Sequence, residues 1–89
     1  MSDDNAASIQ PDTDTGRVVL VRWVDSGTSI TGWSSPQDLP TNVETVGSIG
    51  FWIGENEHVI AIAGTQTDDR SFLGCQIIWK RSIEEKTWA

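Results

Sequence analysis

Every apolar run in this chain is short, rich in β-branched and aromatic residues, and closed by turn-forming residues. That punctuation leaves room for strands and for little else. Val18 to Val24 (VVLVRWV) ends at Asp25-Ser26-Gly27. His58 to Ala63 (HVIAIA) lies between Gly54-Glu55-Asn56-Glu57 and Gly64 to Arg70 (GTQTDDR), and Ser71 to Lys80 (SFLGCQIIWK) carries Gly74 near its middle. Such runs fit a pleated surface, and no stretch shows apolar spacing of helical period and length. Val43 to Ile53 (VETVGSIGFWI) has Gly47 and Gly50 inside it, the mark of a bulge or sharp bend, and pairs with HVIAIA as a hairpin over 43–63. In the first run, alternation puts Val19, Val21 and Trp23 on one face and Val18, Leu20, Arg22 and Val24 on the other. Both faces are largely apolar, which predicts an interior strand.

Residues 25–42 (DSGTSITGWSSPQDLPTN) are crowded with Gly, Ser, Thr, Pro and Asn and read as a long loop. Within it, Ser35-Pro36-Gln37-Asp38-Leu39 pairs a capping serine with proline at the first helical position, and Pro40 limits the helix to one turn. The segment RSIEEKTWA can add a single 3₁₀ turn and a last short strand. The expected fold is all-β: a small SH3-like barrel or a strongly curved antiparallel sheet of four to five strands. An 89-residue chain buries only about 60% of its unfolded surface, so one domain is expected, spanning 17–89. Residues 1–16 have one Ile, one Pro and no aromatic, too little to offset the entropy of ordering, and are read as a disordered acidic arm.

The net charge of −7 is uneven. Four of the thirteen acidic residues fall in the first sixteen positions, which hold no Lys or Arg, leaving −3 on the remainder. That balance argues against a nucleic-acid partner bound through its phosphates. No apolar run is long enough to span a bilayer and the N-terminus is acidic, so no membrane association is expected and the chain is read as cytoplasmic. Cys75 is the one cysteine, with Leu73 and Ile77 as neighbours, and is expected as a small buried filler.

Catalysis finds no constellation here. His58 sits at a strand start beside Glu57 with nothing to place a nucleophile or second ligand near it. HExxH, CxxC, Walker A and GxGxxG patterns are missing, and Asp68-Asp69, the adjacent loop carboxylates that could hold a cation, read more simply as a solvated turn. The reading is a protein that is not an enzyme and takes no cofactor.

Binding has better material. Five tryptophans in 89 residues is a high density of the side chain most enriched at interaction hot spots. Trp23 and Trp52 lie within apolar strands and are expected in the core. Trp33, in the Gly/Ser/Thr loop, Trp79, leading into Lys80-Arg81, and Trp88, next to the last residue, are the rings expected at the surface, although Trp33 could instead anchor its loop over one end of the sheet. Asp25 and Ser26 either cap the first strand's turn or hydrogen-bond a ligand against Trp33. Lys80 and Arg81 either face Glu84 and Glu85 or meet an anionic group.

The stretches VVLVRWVDSGTSITGW, VGSIGFWIGENEHVIAIAG and IIWKRSI resemble a group of small proteins encoded by tailed phages and prophages. Those share a strand ending W-x-D-[AS], a loop closing on G-W, a V-G hairpin and a near-terminal I-P-K-x-x-I. The likeness covers about residues 17–83, with Trp79 standing where the group usually has proline. It implies a phage origin, action in the host cytoplasm, and an accessory role in host takeover or counter-defence. Three functions follow as expectations: docking on and inhibiting a host protein; sequestering a nucleotide immune signal between Trp rings and Lys80/Arg81, which would require a homo-oligomer; and service as a minor virion or assembly component.

Overall fold

The computed structural model describes residues 8–25, 35–38 and 43–89. Five strands, β1 (Val18–Asp25), β2 (Glu44–Glu55), β3 (Val59–Gln66), β4 (Phe72–Trp79) and β5 (Ile83–Trp88), form one antiparallel sheet in the order β4-β3-β2-β1-β5. Single 3₁₀ turns cover Pro36–Asp38 and Lys80–Ser82, the two places where the sequence predicts a short turn. The sheet does not close, because β4 and β5 remain its two edges. Of the two expected forms, the curved open sheet is the one found. Register shifts between Arg22 and Trp23 and between Trp52 and Gly54 bend it.

Register assigns the faces, since directly opposed residues of antiparallel strands share one. The inner face carries Val19, Val21, Trp52, Ile60, Ile62 and Ile78, all buried, with Trp23, Ile83 and Trp88 packed against them. The alternation read from β1 therefore holds, and β1 lies inside the sheet between β2 and β5. Gly50 is required by a close approach: a Cβ there would sit 2.7 Å from the Ala63 carbonyl oxygen. The bulge falls three residues later than that glycine, beside Trp52.

Part of the segment expected to be disordered is ordered. Residues 8–16, expected as part of a disordered segment, lie along β2 where β1 has ended. Gln10 and Glu55 exchange backbone hydrogen bonds, Gly16 N–H donates to the Trp52 carbonyl, and Trp52 N–H donates to Arg17. Thr15 is buried; its hydroxyl accepts from Asp12 N–H and donates to the Ile53 carbonyl. Both Asp12 carboxylate oxygens lie 3.1 Å from Trp52 Nε1, which donates to them. This strap is held by polar groups satisfying a free strand side and an indole N–H, so the scarcity of apolar residues was a poor guide to its order.

The β3–β4 turn is likewise built from side-chain hydrogen bonds. The Asp69 carboxylate accepts from the Thr67 hydroxyl and from Ser71 N–H. The Thr67 and Ser71 bonds hold the Asp69 pKa below its ordinary 3.8. Because the folded value is depressed, the turn's contribution is fully present above pH 3.8 and is lost as pH falls below it toward the folded value. An NMR titration of the Asp69 carboxyl carbon should show this midpoint below that of a model peptide, moving upward in Thr67→Ala. An unshifted midpoint would refute the role given to these bonds.

Candidate functional site

The outer face of β4 is the chain's least covered apolar surface among the described residues. Leu73, Cys75, Ile77 and Trp79 alternate along the strand and so point to one side, away from buried Ile78. Leu73 is 72% exposed, Ile77 56% and Trp79 53%, and Cys75 is exposed too. Cys75 was expected as a buried filler. Its apolar neighbours misled, because they share its outward face. On β3, the residues opposite Trp79, Ile77 and Cys75 are Val59, Ala61 and Ala63, and Phe51 on β2 and Val18 on β1 extend the last row across the sheet. The face is thus apolar for four strands' width.

Trp79 marks one end of this stripe and is framed by charge. The Arg81 guanidinium lies 5.0 Å from the indole centroid, and the His58 ring stands 6.5 Å away, tilted by 52°. Lys80 N–H donates to the His58 carbonyl, fixing the strand end against the start of β3. The Lys80 ammonium donates to Glu55 at 2.6 Å. Neither sequence-level expectation for Lys80 anticipated Glu55 as its partner. Glu55 follows the bulge in β2, and only the folded register brings it there.

Of the residues singled out from the sequence, the structure gathers Trp79, Lys80 and Arg81 at one strand end. Trp88 is not with them. Expected at the surface, it is half-buried on the inner face, edge-on to Trp52 with centroids 5.3 Å apart, and carries Arg17 at 4.6 Å and Lys86 at 5.0 Å over its ring. It moves inward because β5 pairs with β1 and sets Trp88 opposite Val19. Trp23 and Trp52 lie in or against the core as expected, the indole N–H of Trp23 donating to Ser48 Oγ at 3.0 Å. Asp25 ends β1 opposite Glu44, while Ser26 and Trp33 lie outside the described residues.

Sequence reasoning missed Leu73, Ile77 and His58 as site residues. The signal was present in the LxCxIxW alternation, but Phe72 and Ile78 interleave with it. Two-sided apolarity says nothing about which side is covered. No family model, curated protein or solved structure matches this chain.

Proposed function

We propose that the chain is a binding protein that docks on another protein through the outer face of β4, with Trp79 as the anchor. The observation behind this reading is the stripe of Leu73, Cys75, Ile77 and Trp79, exposed side by side on one strand without a charge among them. Contiguous exposed apolar surface of this kind marks an interaction site more often than scattered single residues do. Trp79 and Arg81, stacked at its rim, belong to the residue types most enriched at binding hot spots. Following the resemblance to small phage-encoded proteins, the partner is a host protein in the host cytoplasm and the effect of docking is inhibition, as host takeover or counter-defence requires.

The nucleotide-sequestering alternative has less support. Lys80, expected to meet a phosphate, is already paired with Glu55 in the same chain, which leaves Arg81 as the cation beside Trp79.

Co-purification of tagged protein from bacterial lysate tests the docking reading. A stoichiometric protein captured by the wild type and by Thr87→Ala on β5 is expected to be lost with Trp79→Ala. An anchoring tryptophan contributes at least about 2 kcal/mol, roughly a 30-fold loss of affinity. Undiminished capture by Trp79→Ala would remove the basis of the proposal.

A further inference from the structure

The two edges of this sheet are unlike each other. β5 reads IEEKTW, with Glu84, Glu85 and Lys86 in succession, the kind of charged edge that repels a further strand. β4 reads FLGCQIIW, eight residues without a charge, in continuous register with β3 from Trp79 to Phe72. Gly74, with φ of 72°, bends it without shifting that register. An edge this long and uncharged is a template for another strand, and its charges lie only beyond its ends. Asp68, Asp69 and Arg70, with a net charge of −1, precede it, and Lys80 and Arg81 follow it.

That polarity selects the occupant. We propose that β4 pairs with β4 of a second copy of this chain, antiparallel about a two-fold axis, joining two five-stranded sheets into one. In antiparallel pairing, opposed residues share a face, so the apolar stripes align only if the axis passes beside a residue rather than between two. With the axis at Cys75, Leu73 opposes the partner's Ile77, Cys75 opposes the partner's Cys75, and Asp69 opposes the partner's Arg81. With it at Gln76, Ser71 falls opposite the partner's Arg81 and the opposite charges no longer meet. Charge complementarity therefore favours the Cys75 register. The pairing sets Arg70 opposite the partner's Lys80, and Glu55 already neutralises that lysine within its own chain. A two-fold contact of this kind is self-complementary and closes at two copies, consistent with the charged β5 edge blocking further growth. The inference does not depend on the docking reading, because it uses the strand edge and needs no other protein.

Sedimentation equilibrium of the purified full chain across the micromolar range tests it. The expected mass is twice the 9.8 kDa of one chain, with diamide, a two-electron oxidant, coupling Cys75 to Cys75 in the dimer. Ile77→Lys sets a charge on the edge and should weaken dimerisation at least about tenfold. Arg81→Glu should weaken it less, and Asp69→Lys added to Arg81→Glu should recover the loss. Circular dichroism establishes that each variant is folded. A monomer at every concentration, a dimer that Ile77→Lys leaves intact, or a dimer that diamide cannot couple through Cys75 would each overturn the proposed pairing.

Discussion

Trp52→Ala should unfold this protein under mild conditions. Trp52 is the largest fully buried side chain among the described residues, 1% exposed, and it joins the two halves of the core: it opposes Ile62 on β3 and meets Trp88 on β5 edge-on. It also ties down the strap through Asp12, while Lys86 stands 4.7 Å over its ring. Truncating a buried tryptophan to alanine costs about 3 to 5 kcal/mol through lost transfer energy and the cavity left behind. A domain this small has only about 5 to 15 kcal/mol in all. The urea midpoint, followed by circular dichroism, should therefore fall by about 2 M or more. Trp52→Phe keeps much of the volume but loses the indole N–H, so it should sit between alanine and wild type, with the strap loosened. A midpoint for Trp52→Ala within a few tenths molar of wild type would contradict the account of the core.

Gly54→Ala should release the strap while leaving the sheet assembled. A Cβ on Gly54 would lie 2.1 Å from the Gln10 carbonyl oxygen and 2.7 Å from its carbon, and these are backbone atoms that cannot rotate aside. The Gln10–Glu55 hydrogen bonds would be forced apart, stranding the Thr15 and Asp12 bonds that follow. The expected loss is about 2 kcal/mol or more, in the range of a disrupted hydrogen-bond network. Limited proteolysis read by mass spectrometry should show new cleavage within residues 8–16 ahead of any within β1 to β5. Gly64→Ala is the matched control. A Cβ there meets nothing within 4 Å, so the substitution should be neutral or stabilise by up to about 1 kcal/mol. Equal protection of the strap in wild type and Gly54→Ala would show that it is not seated on β2.

How far the sequence led differs by element. The alternation in β1 pointed to Val19, Val21 and Trp23 as the inward set, because an interior strand with one fully packed face leaves its period in the residue order. The hairpin of β2 and β3 and the turn at Pro36–Asp38 were legible for a similar reason: glycine, proline and asparagine act on their own backbone. The strap was not legible. Its order rests on one free strand side and one indole N–H thirty-six or more residues away, and composition carries no trace of either.

Cys75 and Trp88 were misplaced for a related cause, since each was judged by its neighbours in the chain. Cys75 sits among apolar residues and is nonetheless exposed, because β4 is an edge strand and no described residue covers the thiol on its outer side. Trp88 lies near the chain end, yet pairing with β1 carries it against Trp52. By itself, then, the sequence determined the all-β class, the boundaries of β1 to β4 to within three residues, and the core positions of β1, all of which are set by local periodicity and backbone preference. Tertiary structure alone decided which strands became edges, which apolar face stayed uncovered around Trp79, and which carboxylate met Lys80. Those follow from strand order and register, where residues distant in the chain compete for the same partners.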